Sequence, residues 1–253
     1  MRLDNKVTLV TGAGMGIGAG IAQRFLNAGA KVVVFDIHAE RARQMAESLS
    51  GSGRALAIHG DVAREEDVQY AVARTVQELG SLDVLVNNAG IAPPAPVVDL
   101  TSAQWDHQLA VNLKGAFLFS KYAIPHLRGR GGAIVNISSV HALVSYAGYA
   151  AYDASKAGLL ALTRTLAVEH GPDGIRVNAI CPGYINTPMT EEWLASEPDP
   201  EAARKQMLSI HPLGRIGTPR DVADAALFLA SDAAAFISGV CLVVDGAMSV
   251  AGH

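Results

Sequence analysis

The amino-acid sequence predicts an α/β fold, a single doubly wound parallel sheet of seven strands with helices on both faces. Short runs rich in β-branched and aliphatic residues alternate along the chain with longer segments that have helical periodicity. The short runs are apolar on both faces, as expected for strands buried inside a parallel sheet. Because no Pro-, Gly- or Ser-rich linker divides the chain, we predict one domain spanning residues 1–253.

Each predicted strand is a short run in which aliphatic and β-branched residues predominate. The runs are residues 6–11, 31–36, 55–59, 82–87, 133–137, 177–181 and 241–244. The predicted helices occupy residues 16–28, 39–49, 65–79, 101–127 and 149–170. The first helix is expected to end at Gly29, since glycine commonly terminates helices. An irregular insertion that serves as a substrate lid is predicted at about residues 186–209.

Composition restricts the classes of function. Half of the residues are hydrophobic and 17% are charged, which indicates a packed core and argues against disorder. The net charge of −4 and the lack of a Lys/Arg block argue against a nucleic-acid partner. No apolar run is long enough to span a membrane, and the amino terminus has no apolar signal core. We therefore expect a cytoplasmic protein that has no membrane partner.

Histidine and cysteine give no metal signature. The eight histidines lack the spacing of metal-binding motifs, so no metal site is predicted. Cys181 and Cys241 both lie in apolar, strand-like segments and are interpreted as buried free thiols, although the sequence leaves a disulfide open.

Tyr152 stands four residues before Lys156, and Ser139 lies thirteen residues ahead of the tyrosine. Residues four apart share a helix face, so the ammonium of Lys156 can approach the phenol of Tyr152. A cation ~4 Å away is worth about 4 kcal/mol at an effective dielectric of ~20. That energy would lower the pKa of Tyr152 from ~10 to near 7, where a general acid or base works best. The alternative is an ordinary pair on an amphipathic helix.

A glycine-rich loop, residues 11–18, joins the first strand to the first helix. Backbone N–H groups and the helix dipole at such a turn can bind a pyrophosphate. Asp36 ends the second strand, eighteen residues beyond Gly18. A carboxylate at this position accepts hydrogen bonds from an adenosine ribose and repels a 2′-phosphate. Asp36 could equally cap the next helix, and the two roles are compatible.

The residues around Asp36 predict the cofactor. Met15 and Ile37 are apolar at positions where a phosphate-binding arginine would stand. Arg41 and Arg43 are expected to project from the second helix into solvent. The sequence therefore predicts NAD rather than NADP.

Five motifs, in order and at the expected spacing, make the chain resemble the short-chain dehydrogenase/reductase family over nearly its whole length. They are Gly12-x-x-x-Gly16-x-Gly18, Asp61-Val62, Asn87-Asn88-Ala89-Gly90, the tetrad Asn112, Ser139, Tyr152 and Lys156, and Pro182-Gly183 with Thr187. The resemblance implies a Rossmann-like fold and hydride transfer between NAD and a secondary alcohol or its carbonyl product. Asp245-Gly246-Ala247 departs slightly from the family pattern, where a second glycine is common.

The resemblance assigns cofactor binding to residues in and beside these motifs. They are Gly12, Met15, Gly16, Ile17, Gly18, Asp36, Ile37, Asp61, Val62, Asn88, Ala89, Gly90, Tyr152, Lys156, Pro182, Gly183, Ile185 and Thr187.

The resemblance also implies four catalytic roles. Tyr152 takes the alcohol proton, and the Ser139 hydroxyl holds the substrate oxygen as it becomes a carbonyl. Lys156 tunes Tyr152 and binds the nicotinamide ribose. Asn112 is expected to interrupt its helix and to anchor a water that links Lys156 to solvent. Without the resemblance, Asn112 would be interpreted as a plain polar residue inside a helix.

Substrate choice is expected to come from loops at the carboxyl ends of the strands. Ser139 and Tyr149 are candidate contacts there. His141 either hydrogen-bonds a second substrate hydroxyl or faces solvent, and Trp193 either caps the pocket or packs the insertion onto the core. The insertion is acidic, which disfavours anionic substrates and favours a sugar, a polyol or a secondary alcohol.

The predicted function is therefore NAD-dependent oxidation of a small-molecule sugar or polyol. One alternative is a 3-oxoacyl or other ketone reductase. The other, from a different class, is an NAD(H)-binding sensor or scaffold.

The helix predicted at residues 149–170 carries a series of small residues that would let another helix approach closely. They are Ala150, Ala154, Ala157, Gly158 and Ala161. That neighbour is either within the chain or a second subunit, and the family resemblance favours a homotetramer built on residues 101–127 and 149–170.

Overall fold

The computed structural model describes residues 1–49 and 54–251, and its centre is a sheet of seven parallel strands. The strands are β1 (Val7–Thr11), β2 (Lys31–Asp36), β3 (Ala55–His59), β4 (Val84–Asn87), β5 (Ala133–Ile137), β6 (Arg176–Pro182) and β7 (Cys241–Val244). The predicted doubly wound fold with seven strands is confirmed. The predicted domain of residues 1–253 also includes residues 50–53 and 252–253, which lie outside the described part of the chain.

Helices cover both faces of the sheet. They are α1 (Gly16–Asn27), α2 (Ala39–Leu49), α3 (Glu65–Leu79), α4 (Ser102–Leu109), α5 (Gly115–Leu127), α6 (Ala150–His170), α7 (Pro188–Ser196), α8 (Pro200–Ser209) and α9 (Pro219–Ala230). Helices α1, α2 and α9 form the core on one face, and α3, α5 and α6 form it on the other. None of the helices in the described ranges has the length and apolar character to cross a membrane.

The inner strands are mainly apolar because β1, β2, β4, β5 and β6 each contribute side chains to both cores. Leu9 packs into the core under α3 and α5, whereas the next residue, Val10, packs into the core under α1 and α9. Val33 and Val34 divide in the same way on β2. Successive side chains of a strand point to opposite faces, so a sheet covered on both sides requires uninterrupted apolar runs.

Three helical regions differ from the prediction. The single helix predicted at residues 101–127 is two helices, α4 and α5, joined by a π-helical turn at Ala110–Lys114. The prediction of an irregular insertion at residues 186–209 is wrong, since that segment forms α7 and α8. Helix α9 was not predicted.

The three helices that the pattern did not predict share one start signal. Thr187, Asp199 and Thr218 each accept a hydrogen bond from a backbone N–H three residues later, and each directly precedes a proline at the first helical position. An N-cap of this kind stabilises the first turn, and proline tolerates that position because its missing N–H has no intrahelical partner there. In α7 and α8 the apolar periodicity is weak, so the cap is the clearer start signal there.

The order of the strands fixes where loops converge. Strand order is β3-β2-β1-β4-β5-β6-β7, so β1 and β4 are neighbours although two strands separate them in sequence. Connections after β1 lead to one side of the sheet and those after β4 lead to the other. In sheets of this kind a ligand crevice lies outside the carboxyl ends of the strands at that reversal.

Candidate active site

The loops after β1 and β4 are tied together at this reversal. The Thr11 hydroxyl accepts hydrogen bonds from the N–H groups of Asn88 (3.0 Å) and Ala89 (3.1 Å). The Asn88 side-chain amide donates to the carbonyl oxygens of Thr11 (2.9 Å) and Gly12 (3.0 Å). Both loops therefore keep a fixed separation at the edge of the crevice.

Glycines in the first loop are required by close backbone approach. Gly12 and Gly16 have φ angles of +60° and +57°, a region that disfavours side chains. A Cβ atom on Gly12 would lie 2.9 Å from the Ala89 Cα atom, and one on Gly18 would collide with the Gly12 carbonyl oxygen. Gly16 faces Thr187, whose Cβ atom would be 3.6 Å from an added Cβ. The loop thus lines a crevice that the start of α7 bounds on its other side.

The amino terminus of α1 is suited to an anion. Its N-cap residue, Met15, makes no side-chain capping hydrogen bond, and no acidic residue lies in the first turn. The N–H groups of the first turn have no intrahelical partners, and the helix dipole adds positive potential there. A pyrophosphate fits these donors, and the glycines give it the room to approach.

Asp36 holds the glycine loop and the start of the α2 segment. The Gly14 N–H donates to one carboxylate oxygen and the His38 N–H donates to the other, each at 2.9 Å. The carboxylate is buried, and its oxygens retain lone pairs for further hydrogen bonds. Asp36 therefore stabilises the beginning of α2. The same carboxylate oxygens can still accept hydrogen bonds from ribose hydroxyl groups.

The two arginines of α2 behave differently. Arg43 lies on the outer surface, where it pairs with Glu40 and Glu47. The Arg41 guanidinium instead turns back toward the glycine loop, with Nη1 3.1 Å from the Met15 sulfur. Arg41 is exposed, as expected, but its side chain lies along the surface of the glycine loop rather than pointing away from it.

The residues predicted for the adenine side follow β3. The Asp61 carboxylate accepts a hydrogen bond from the Ala63 N–H at 2.8 Å. The backbone N–H of Asp61 donates to the Asp67 carboxylate. Val62 is buried against Gly115, where an added Cβ would lie 2.9 Å from the valine Cβ. The Ile37 side chain, 56% exposed, remains available beside Asp36.

Asn112 lies in the π-helical turn between α4 and α5, as its predicted interruption of the helix requires. Its side-chain oxygen accepts from the Ile91 N–H, and its amide donates to the Ile91 carbonyl, both at 2.8 Å. The amide also donates to the Ser155 hydroxyl at 3.1 Å. A π turn of this kind often marks a functional position. Here the turn places the Asn112 side chain where it hydrogen-bonds the backbone of Ile91, directly after Gly90.

Tyr152, Lys156 and Ser139 meet at the carboxyl end of β5. The Lys156 Nζ atom is 5.5 Å from the centre of the Tyr152 ring and donates to the Ile137 carbonyl at 2.9 Å. Ser139 follows β5 and hydrogen-bonds the Tyr152 phenol. A Cβ on Gly90 would lie 3.3 Å from Lys156 Nζ and 3.4 Å from the Asn112 side-chain oxygen. The four predicted catalytic residues thus surround one point of the crevice.

The expected pKa of Tyr152 near 7 is wrong for this arrangement. Burial raises the pKa of Tyr152 to about 12, and the hydrogen bond with Ser139 offsets only part of that rise. Burial also lowers the pKa of Lys156 to about 8. Attraction between phenolate and ammonium favours the charged form of each group, but the loss of water around each group favours the neutral form and has the larger effect here. In the structure, the Lys156 ammonium is directed to a carbonyl oxygen instead of the phenol.

The segment predicted to hold the nicotinamide follows β6. Pro182 is the last residue of that strand, and Gly183 packs so closely on Asp245 that a Cβ would lie 2.8 Å from the aspartate Cβ. Ile185 is buried, and Thr187 caps α7 by accepting from the Thr190 N–H at 3.4 Å. This segment therefore faces the glycine loop across the crevice.

The candidate substrate residues form an aromatic group next to Tyr152. The His141 ring centre lies 5.0 Å from those of Tyr149 and Tyr152, and its side chain is only 13% exposed. Trp193 stacks on Tyr184 with 5.9 Å between ring centres, so it packs the insertion against the chain that follows β6. Of the two interpretations for His141, a solvent-facing loop position does not agree with its burial.

Two residues of this region, Asp153 and Tyr184, are not predicted from the sequence. Asp153 hydrogen-bonds His141 through a contact between α6 and the turn after β5, and twelve residues separate the pair. Tyr184 follows β6, and its ring stacks on that of Trp193 in α7. Neither pairing has a local spacing signal, although the Tyr-Asp neighbours at 152 and 153 place a carboxylate beside the predicted acid/base.

The two cysteines lie at the neighbouring strands β6 and β7. Cys181 and Cys241 are free thiols, as predicted, with a hydrogen bond of 3.0 Å between their sulfur atoms. The predicted burial holds for Cys181, whereas Cys241 is partly exposed. In the described ranges, no group of three or more His, Cys, Asp or Glu side chains is arranged to hold a metal ion.

Known proteins resemble this chain over nearly its full length. Residues 12–249 match the family described as enoyl-(acyl carrier protein) reductase. L-fucose dehydrogenase of Bos taurus is 44% identical over 97% of this chain and 90% of its own length. 2-(S)-hydroxypropyl-CoM dehydrogenase 3 of Xanthobacter autotrophicus is 43% identical over 98% of each chain. The solved structure of aldohexose dehydrogenase from Thermoplasma acidophilum superimposes with a TM-score of 0.90 at 38% identity, covering 99% of this chain and 96% of that one. The chain belongs to the short-chain dehydrogenase/reductase family and is a nicotinamide-dependent oxidoreductase acting on CH–OH groups.

Proposed function

We propose that the protein is an NAD-dependent dehydrogenase that oxidises a secondary alcohol of a neutral sugar or polyol in a single catalytic domain with α7 and α8 as a substrate lid. The observation that carries the proposal is the convergence of Ser139, Tyr152 and Lys156 at the carboxyl end of β5, next to Gly90 in the loop after β4. L-fucose dehydrogenase and aldohexose dehydrogenase, both similar to this chain over most of their length, are named for sugars.

The roles of the side chains follow from their positions. Ser139 holds the substrate oxygen, and Tyr152 takes the proton of the alcohol hydroxyl. Lys156, close to Tyr152, stabilises negative charge on the phenol and reaches the ribose. The oxidised dinucleotide would supply the hydride acceptor in this crevice. The hydrogen bond with Ser139 acts against the effect of burial, which raises the pKa of Tyr152 to about 12.

Asp36 and Arg41 act in opposite directions on cofactor choice. The Asp36 carboxylate is held by two N–H groups at the position that meets the adenosine ribose, and its charge repels a 2′-phosphate. Arg41 lies across the same loop and would attract that phosphate. We infer NAD as the preferred cofactor because Asp36 is fixed and buried, whereas Arg41 is an exposed side chain on the loop surface.

One observation favours a second candidate function, the reduction of a ketone. With a pKa of about 12, Tyr152 is a neutral phenol at neutral pH and is ready to donate a proton to a carbonyl oxygen. The same residues serve both directions, so the physiological direction depends on which form of the cofactor is supplied.

The assembly we propose is a homotetramer that uses α4, α5 and α6. An apolar groove between these helices is lined by Leu109, Leu113, Phe117 and Leu162. Phe117 is 46% exposed within one chain, and a large exposed apolar patch is typical of an interaction site. Of the small residues on α6, Gly158 has an intrachain neighbour, Leu113, whereas Ala157 and Ala161 are exposed.

Tyr152→Phe removes the proton-accepting hydroxyl while leaving the ring in place. We expect kcat to fall by about 10²–10⁴-fold, the usual contribution of a general acid/base. NADH binding, measured by fluorescence titration, is expected to persist. Tyr70→Phe on exposed α3 is the control. Turnover of a sugar or polyol panel within about tenfold of wild type would remove Tyr152 from the proposed role.

Lys156→Met tests the energetic cost of the buried amine. Because the folded pKa of about 8 lies below the unfolded value of 10.5, protonated Lys156 destabilises the folded state by on the order of 3 kcal/mol below pH 8. Loss of its hydrogen bond to Ile137 offsets about 1 kcal/mol. We expect the variant to unfold at higher denaturant concentration at pH 7 and the difference to shrink as pH rises from 8 toward 10.5.

Lys205→Met, at an exposed position, is the control for that measurement. A Lys156→Met variant that is less stable than wild type at pH 7, or a difference independent of pH, would contradict the assigned direction of the pKa.

Asp36→Ala is expected to weaken NAD binding and to improve use of NADP, since it removes both the ribose acceptor and the charge that repels a phosphate. Arg41→Ala is the matched variant and should weaken NADP binding alone. The measurement is kcat/KM for each cofactor at saturating alcohol. Equal kinetics with both cofactors in wild type and Asp36→Ala would refute the assignment.

Phe117→Glu places a charge in the apolar groove and should dissociate the tetramer. Light scattering of wild type at micromolar concentration is expected to give four times the 26.4 kDa chain mass. Tyr70→Glu, also at an exposed aromatic position, should leave the mass unchanged. A monomeric wild-type mass would overturn the proposed assembly.

A further inference from the structure

His141 is held by a carboxylate that has no part in the acid/base group. Its Nδ1 atom is 2.7 Å from the Asp153 Oδ1 atom, and the two side chains are 13% and 16% exposed. The backbone N–H of His141 also donates to the Ser139 hydroxyl at 3.2 Å. Ring contacts with Tyr146, Tyr149 and Tyr152, at 4.5–5.0 Å between centres, enclose the imidazole from three sides.

These contacts determine which nitrogen carries the proton. Burial lowers the pKa of His141, so the imidazole is neutral at neutral pH and has one N–H group. An ionised carboxylate can only accept hydrogen bonds, and Asp153 therefore requires the proton on Nδ1. The Nε2 atom keeps its lone pair and makes no hydrogen bond within residues 1–49 and 54–251.

The free acceptor is next to the reacting group. The imidazole and the Tyr152 ring meet edge to face at 5.0 Å, and the backbone of His141 is bonded to Ser139. A substrate whose oxygen lies between Ser139 and Tyr152 therefore brings its neighbouring carbon toward the imidazole.

We propose that His141, fixed in one tautomer by Asp153, is a specificity-determining residue that accepts a hydrogen bond from a hydroxyl on the carbon adjacent to the one oxidised. The substrates are accordingly vicinal diols and polyols. The inference rests on the proposed function, since it takes Tyr152 and Ser139 as the reacting pair. Asp153 is a positioning residue that acts through His141.

The arrangement also defines what is rejected. A neighbouring ether or carbonyl oxygen has only lone pairs, and these would face the lone pair of Nε2. A neighbouring carboxylate would in addition meet the charge of Asp153. A hydroxyl is the group that can donate to Nε2.

Three cyclic substrates separate these cases: 1,2-cyclohexanediol, 2-methoxycyclohexanol and cyclohexanol, each with NAD⁺ and the full-length protein. For wild type, we expect kcat/KM for the diol to exceed that for the other two by about tenfold or more, because a site built to bond a hydroxyl discriminates against analogues that lack it. In His141→Ala, the ratio of kcat/KM for the diol to kcat/KM for cyclohexanol should fall to near one, even if the substitution changes the turnover of both substrates.

Asp153→Asn tests the tautomer without removing the imidazole. An amide, unlike an ionised carboxylate, can donate to Nδ1 and so allows the proton to move to Nε2, which makes that atom a donor. The ratio of diol to methoxy compound should then fall at least about fivefold, since the ether becomes an acceptable partner. If the role of Asp153 were merely structural, the substitution would lower kcat/KM for both substrates equally. Imidazole nitrogen chemical shifts should report Nδ1–H in wild type and Nε2–H in the variant.

His107→Ala, at an exposed position on α4, is the control and should keep the wild-type ratios. Thermal unfolding identifies variants that fail to fold. The inference is overturned if wild type oxidises all three alcohols with equal kcat/KM, or if folded Asp153→Asn keeps the full discrimination against the ether. A wild type that binds NADH but oxidises no alcohol would overturn the proposed function and, with it, this inference.

Discussion

The parallel pairing of β1 with β4 is the constraint on which the site depends. Leu9 lies opposite Leu85 and Val10 opposite Val86, so the two strands end at the same level of the sheet. The loops that follow are consequently adjacent, and the Thr11 hydroxyl can bond two N–H groups of the second loop. Without that register, the glycine loop and the chain that leads to Asn112 would not border one crevice.

Rigid backbone contacts carry this constraint outward to the reacting groups. Asn112 bonds both the N–H and the carbonyl of Ile91, and so fixes the chain beyond the β4 loop to the π turn. Lys156 bonds the carbonyl of the last residue of β5. The polar side chains of the site thus form some of their hydrogen bonds with the backbone. Their positions are set before any ligand arrives, which is the preorganisation that catalysis of hydride transfer requires.

The fold was predictable from sequence because burial on both faces of the sheet leaves a strong signal. Leu9 and Val10 belong to different cores, and such strands read as continuous apolar runs. The short helices α7 and α8 were missed because their start depends on the caps Thr187 and Asp199, which periodicity does not detect. The π turn at Asn112 was foreseen only through family resemblance, since nothing in the local sequence marks the extra residue.

The site was less predictable where solvation or tertiary contacts decide the outcome. Spacing alone brought Tyr152 and Lys156 onto one helix face but could not show how little water surrounds them. The pKa values of the two groups therefore shift in the opposite direction to that expected from their mutual attraction. The turn of Arg41 toward Met15 and the bond between His141 and Asp153 likewise join segments that have no sequence spacing in common.

Burial acts on Tyr152, Lys156 and His141 in the same sense, because it favours the uncharged form of each group. A site with this bias recognises its substrate through neutral hydrogen bonds rather than ion pairs. Neutral hydrogen bonds are individually weak, so selectivity has to come from their number and from fixed donor and acceptor roles. A polyhydroxylated substrate offers several such bonds at neighbouring carbons. The same desolvation that raises the barrier to forming a phenolate therefore favours sugars and polyols over charged acids.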